Sequence, residues 1–378
     1  MHSGKPLPRR GTNAPWLHIP SGSDSSTCSR AWVCLMPEIA PPLVCVCVPT
    51  YNSARTLRET LLSLTAQSYP NLKIKVVDNA SDDDTAKVVA AVADNRIELH
   101  RHAVNVGAEE NFSRCIALGE GKYTAIFHAD DVYEPQMLEK QVAFLEANSV
   151  AGGVFTEAKM IDETGQPVGS IRQPADLAAS GPLFDFKQLY KAILRHSNFL
   201  ICPSFLARTD VYQREVISWR GELFGSSSDL DVWIRILRHH PCGILPEPLM
   251  RYRISASQGS ASVRQGVGRA DFFRVIDYYQ AQEWVKQQLD RTDYLNYSRL
   301  ERRDRVMRAV NSLILDDPVQ ARNLCNDVLS IDALHAALQS KRGLMVLLLG
   351  IFVRLSLALG LNGPAKHVLS FVKRKANK

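Results

Sequence analysis

The chain has 378 residues, 46% hydrophobic and 22% charged, a globular balance that excludes a wholly disordered, collagen-like or polytopic membrane protein. Its net charge of +6 is unevenly spread: residues 341–378 carry +8 and no acid, residues 1–40 carry +2, and the stretch between carries −4. A basic segment beside a mildly acidic body is not the footprint of a nucleic-acid-binding domain, so no nucleic-acid partner is expected.

In chain order, residues 1–40 are rich in Ser, Pro and Gly and lack the apolar core of a secretory signal. They read as a disordered leader, with Met36 the expected natural start. From residue 43, short apolar runs alternate with amphipathic stretches, the pattern of βαβ units and a parallel sheet. Leu43–Val48 reads as a buried strand stopped by Pro49. Its Cys45 and Cys47 are expected to be small buried hydrophobes, and the eight cysteines, with no C-x-x-C pair, fit a reducing compartment. A helix over 54–67 follows, then a strand Leu72–Val77, a helix 84–93 with Asp82, Asp83 and Asp84 at its start, and a strand Ile97–Arg101. Further on come a helix 108–118, a strand Tyr123–Phe127, a helix 134–147 and a strand Val150–Thr156. Residues 160–225 give no clear pattern beyond loops near Gly165, Pro174 and Gly181. A periodic helix 229–239 with Trp233 precedes a strand 243–253, and past about residue 265 long helical stretches begin.

In open parallel sheets, ligands bind beyond the carboxyl ends of the strands. Three such ends carry distinctive polar groups: Pro49-Thr50-Tyr51-Asn52, Asp78-Asn79 and His128-Ala129-Asp130-Asp131. No G-x-G-x-x-G follows the first strand and no P-loop occurs, so a nucleotide's phosphates need another neutralising group. A divalent cation held by a carboxylate such as Asp130 meets that need.

These residues resemble family-two glycosyltransferases of the GT-A fold. The resemblance rests on Val46–Asn52, Val76–Asp82, Asn105-Val106-Gly107 with Asn111, and Phe127–Asp131 with Pro135. Ser228–Arg235, Pro246-Glu247-Pro248-Leu249 and Tyr252-Arg253 continue it, and together they run in family-like order from about 43 to 260. The implied fold is α/β: a Rossmann-like, mostly parallel sheet flanked by helices over 41–265, with a helical C-terminal extension over 266–378. The implied activity is inverting, metal-dependent transfer of a sugar, of hexosyltransferase type, from a nucleoside diphosphate sugar to an acceptor hydroxyl, in cell-surface polysaccharide or glycolipid assembly.

The resemblance assigns Asp229 as catalytic base and Asp130 as ligand to Mg²⁺ or Mn²⁺. It places Pro49, Thr50, Tyr51, Asn52, Asp78, Asn105, His128, Asp131 and Arg253 around the nucleotide sugar. Arg253 is expected to grip the diphosphate. Asp131, with Glu134 three residues on, also fits a helix-capping box. Asp231 has Arg235 four residues on, an expected surface pair that leaves Asp229 the freer carboxylate. The family's Asp-x-Asp has His128 in its first position here, and Ser228 and Ser255 stand where relatives often carry Glu and His. These departures keep open a non-catalytic sugar-nucleotide-binding or scaffolding protein with a degenerate site. A sugar-nucleotide nucleotidyltransferase is a further alternative, although no Gly-rich basic loop follows the first strand.

Residues 343–361 carry one charge, Arg354, between apolar blocks, and Gly343, Gly350 and Gly360 lower helix propensity. A membrane span, a buried helix and a membrane-surface helix all fit; the flanking basic residues favour the last, on an anionic surface. The expected location is therefore cytoplasmic, peripherally on the inner face of the cell membrane, beside a saccharide or lipid-linked acceptor.

Overall fold

The computed structural model describes residues 40–255, 266–326 and 328–376. The expected leader as far as residue 39, Met36 within it, and the expected boundary at 265 lie outside them. Ten strands form one sheet among the described residues: β1 (Val44–Thr50), β2 (Leu72–Asp78), β3 (Ile97–Arg101), β4 (Tyr123–Ile126), β5 (Val132–Tyr133), β6 (Gly153–Ile161), β7 (Pro167–Ile171), β8 (Leu183–Phe184), β9 (Leu206–Arg208) and β10 (Cys242–Arg253). The order is β3-β2-β1-β4-β9-β6-β10-β5, with β7 on β6 and β8 on β10. The ladders joining β1–β4 are parallel, as is the long β6–β10 ladder, and β9 joins the two blocks antiparallel.

Strict alternation makes β1 a two-faced wall. Val44, Val46 and Val48 enter one core with Leu57, Leu61 and Leu64, while Cys45 and Cys47 enter the other with Cys115 and Ile116. Both thiols are fully buried; the Cys47 contact and then burial push Cys45 far up, and the Cys115 contact and burial push Cys47 well above the ordinary thiol range against the opposing pull of Cys45, so they pack as hydrophobes. Pro49 does not stop the strand. Val44 and Thr50 direct their backbone bonds toward β2, and Cys47 directs its carbonyl toward Phe127, so the absent N–H of Pro49 faces the β4 side, where the ladder has already ended.

The stretch 160–225 contains a helix, Phe186–His196, opened by a reciprocal capping box: Asp185 accepts from Gln188 N at 2.8 Å and Gln188 accepts from Asp185 N at 3.0 Å. Its Phe186, Leu189, Tyr190 and Ile193 lie in the same core as Phe272, Ile276 and Tyr297, so packing is continuous across residue 265. Helix Arg291–Ile314 continues from that core into a third cluster, where its Val306, Val310 and Leu313 meet Ala321, Cys325, Val353 and Leu357.

Residues 343–361 fall mostly in helix Lys341–Ala358, which buries Val346, Leu347, Gly350 and Val353 and exposes Leu344, Met345, Leu348 and Leu355. Gly350 permits a close approach, since a Cβ there would lie 2.7 Å from Val328. Arg354 donates to the Asn326 carbonyl at 3.2 Å. No described helix is long and apolar enough to cross a membrane.

Gly153, where β6 meets β9, leaves no room for a side chain. A Cβ there would sit 2.2 Å from the Phe205 ring and 2.8 Å from the Leu206 carbonyl oxygen. Gly153→Ala should therefore lower stability by about 1–3 kcal/mol, read as a reduced urea midpoint at unchanged slope.

Candidate active site

Parallel register sets the carboxyl ends level. Thr50 pairs with Asp78, and Asp78 with Arg101, so three polar residues stand side by side where β1, β2 and β3 end. Asp78 is fully buried; its Oδ1 accepts from Ser81 N at 3.1 Å and Ser81 Oγ at 2.5 Å, and its Oδ2 lies 3.2 Å from Arg101 Nε. Thr50 Oγ1 is buried without a hydrogen-bond partner.

Pro49 is half-buried, and the turn after β1 exposes half of Tyr51, which is no core aromatic, and holds Asn52 in the left-handed region at φ 49°. Asn52 Oδ1 accepts from Asp82 N at 3.0 Å, fastening this turn to the one after β2. Asp83 adds a second fastening, accepting from Ala54 N at 3.0 Å and Thr85 N at 2.9 Å. It therefore ties two helix starts together instead of only facing solvent.

Asn79, not expected as an organiser, fixes the loop ahead of helix Ala108–Leu118. Its Nδ2 donates to Asn105 Oδ1 at 2.9 Å and to the Gly107 carbonyl at 3.0 Å, and its Oδ1 accepts from Val106 N at 2.9 Å. Asn111 is buried and donates to the Val77 carbonyl at 2.9 Å.

Beyond β4, His128, Asp130 and Asp131 each bring a ligating atom to within 4.8 Å of the others. Asp131 is not a capping residue. It is fully buried, accepts from Arg253 N at 2.8 Å through Oδ1, and keeps Oδ2 buried with no hydrogen-bond partner, 3.9 Å from His128 Nδ1. Its supposed capping partner, Glu134, instead pairs with Arg251 at 3.0 Å.

Burial, reinforced by the neighbouring Asp130 charge, holds the Asp131 carboxyl well above the usual range. Burial lowers the His128 imidazole against the opposing pull of Asp130, which favours the neutral ring, and its Nε2 has no partner either. Two carboxylates and a neutral imidazole with orphaned atoms fit a divalent cation. Arg253 is spent on the frame: its Nε binds the Asp130 carbonyl at 2.7 Å, Nη1 the Asp162 carbonyl at 3.2 Å and Nη2 Glu59 at 2.6 Å. The guanidinium expected on a diphosphate is thus buried and holds the Asp130-Asp131 turn.

Asp229 lies in the first turn of helix Ser228–Leu237, half-buried, and accepts from its neighbour Leu230 N at 2.7 Å. It has no ion pair among the described residues, and burial pushes its carboxyl up to about 6. The serines ahead of it do not cap the helix: Ser228 Oγ binds the Gly225 carbonyl and Ser226 binds Asp271. Asp231, expected at the surface, is fully buried. It receives Arg235 at 2.8 Å, Tyr279 Oη at 2.6 Å and Arg220. Asp229 shares its surroundings with the strand-end carboxylates, because burial and then the charges of Asp131, Asp130 and Asp229 raise the Tyr252 phenol, and desolvation followed by the charges of Asp229 and Asp131 raises the half-buried Cys202 thiol.

Residues 45–215 match the family model described as glycosyl transferase family 2. The chain carries a family 2 glycosyltransferase domain. An uncharacterized glycosyltransferase of Rickettsia felis is 26% identical over 225 residues, covering 59% of this chain and 36% of the relative. One from Methanocaldococcus jannaschii is 27% identical over 222 residues, covering 57% and 72%. The chain spans about a third of the length of the first curated relatives it matches, 36% and 31%. Residues 1–349 of Staphylococcus aureus TarS, solved with UDP-GlcNAc, superpose with a TM-score of 0.55 at 18% identity, over 84% of this chain and 92% of that one. That likeness places the family 2 domain in the expected α/β fold of GT-A type.

Beyond the residues that match the family model, buried Asp231 anchors the helix that presents Asp229. Asp231→Ala would leave Arg220 and Arg235 facing each other without their shared counter-ion. A loss of about 3–5 kcal/mol is expected in denaturant titration, with Asp231→Asn less damaging because it keeps the Tyr279 contact.

Proposed function

We propose that the protein transfers a sugar from a nucleoside diphosphate sugar to an acceptor hydroxyl by a single displacement with inversion. The observation that carries this reading is Asp229: a half-buried carboxylate with no ion pair among the described residues, raised to about 6, in the same surroundings as Asp130 and Asp131. Such a group is poised to take a proton near neutral pH. The donor's base and ribose would lie along Thr50, Tyr51 and Asn52, with Asp78 facing the base, and the loop held by Asn79 and Asn105 would border them.

Asp130, with Asp131 and His128, would hold Mg²⁺ or Mn²⁺. When bound, the cation supplies positive charge against the diphosphate as it leaves. Asp229 removes the acceptor proton as the new bond forms, and Arg253 keeps the Asp130-Asp131 turn in position. Phe112 positions His128 by packing, its ring meeting the imidazole edge-on at 5.8 Å.

A saccharide or lipid-linked acceptor, used in cell-surface polysaccharide or glycolipid assembly, fits a protein resting on a membrane's inner face. The exposed Leu344, Met345, Leu348 and Leu355, beside Lys341 and Arg342, support that placement. We also propose a domain division at about 265.

Because the base must be unprotonated, kcat/KM should fall about tenfold per pH unit below about 6. In Asp229→Asn, turnover of a nucleotide-sugar panel should drop by at least about a hundredfold with nucleotide binding kept; loss of binding instead would remove Asp229 from the base role. Binding without turnover for every donor and acceptor in the wild-type protein would favour the scaffolding alternative. For the cation, Asp130→Ala should weaken Mn²⁺ binding, measured by calorimetry on the unliganded protein, by about tenfold or more. Unchanged Mn²⁺ affinity would remove Asp130 as a ligand.

A further inference from the structure

A cavity of about 330 Å³ opens in the C-terminal helical region, between helix Arg291–Ile314, helix Ile331–Gln339 and the start of helix Lys341–Ala358. Its size is that of a small-molecule site. Five arginines, Arg195, Arg299, Arg302, Arg303 and Arg342, line it, and no Asp or Glu does among the described residues. The remaining wall is largely apolar, with Leu300, Val306, Val328 and Leu347 contributing.

The arginines are unequally satisfied. Arg195 is paired with Asp176, Arg299 binds Asn296 Oδ1 at 3.1 Å and Arg302 reaches Ser330 Oγ at 3.4 Å. Neither Arg303 nor Arg342 has an ion-pair partner among the described residues. They are close enough that, after burial, the charge of Arg342 is what lowers the Arg303 guanidinium from its ordinary value. Two guanidiniums that repel each other at the rim of an apolar hollow gain from an anion held between them. The hollow itself gains from apolar filling, so the two demands together select a ligand with a charged head and a greasy body.

We propose that this cavity binds a phosphate-headed apolar chain, the phosphate between Arg303 and Arg342 and the chain along Leu300, Val306, Val328 and Leu347. A polyisoprenoid phosphate monoester and a bilayer phospholipid both present this chemistry. The site is separate from the strand-end carboxylates and does not depend on the reaction assigned to them.

Calorimetry on the full chain tests it with decyl phosphate below its micellar concentration, against decanol and inorganic phosphate. Saturable one-to-one binding of decyl phosphate is expected, at least about tenfold tighter than either control. Arg303→Ala and Arg342→Ala should each weaken it by about tenfold; neither residue makes an ion pair among the described residues, so the fold should hold, and an unchanged circular dichroism melt checks this. Farnesyl phosphate and monomeric dihexanoyl phosphatidylglycerol then distinguish the sources, preference for the first indicating a monoester lipid and for the second a bilayer lipid. Equal affinity in wild type and the double variant, or inorganic phosphate matching decyl phosphate, would overturn the proposal. So would binding to anionic phosphatidylglycerol vesicles with none to the monomeric probes, which would indicate a diffuse surface attraction.

Discussion

The parallel pairing of β1 with β2 and β4 is the constraint on which the rest of the site depends. Because Thr50, Asp78 and Arg101 occupy matched register positions, a one-residue slip would turn every side chain to the opposite face and bury the polar ends among valines. The two cores on either face of β1 prevent that slip, since valines fit one and cysteines the other. Function is thus held in place by packing that has no chemistry of its own.

The carboxylates at this edge are kept in unlike states by unlike neighbours. Asp78 is compensated by the charge of Arg101 and the hydrogen bonds of Ser81, Asp231 by two arginines and the Tyr279 hydroxyl, while buried Asp131 and half-buried Asp229 lack comparable compensation. Leaving a buried carboxylate poorly solvated costs folding stability, and such costs concentrate where a proton or a cation is to be handled. The difference between Asp229 and Asp231, two residues apart on one helix, illustrates how sharply a helical turn separates structural from chemical roles.

Much of this was legible in the chain. Apolar runs marked β1, β2 and β4 to within two residues, because buried parallel strands need mostly apolar side chains, and alternation marked the half-buried edge strand β3. The polar clusters at their ends marked the cleft. Other features depended on partners distant in sequence. The arginine that neutralises Asp231 alongside Arg235 is Arg220, and the groups that consume Arg253 come from residues 59, 130, 162 and 163, so neither burial was visible in local spacing. Pro49 misled because its effect depends on which neighbour its missing N–H faces, a property of sheet order. In the unread stretch 160–225, the Asp185-x-x-Gln188 cap was a local signal that announced its helix, whereas β9, three residues long, is defined only by what it pairs with.

Helix Arg291–Ile314 gives the molecule a mechanical unity that its chemistry does not require. Its early turns are set in the sheet's core through Tyr297 and its later turns in the C-terminal cluster through Val306, Val310 and Leu313. A rod of 24 residues, roughly 36 Å long, that is clamped at both ends cannot fray at one without loosening its grip on the other. The C-terminal helices are therefore tied to the sheet's core through one unbroken helix, whichever side of it local opening begins on.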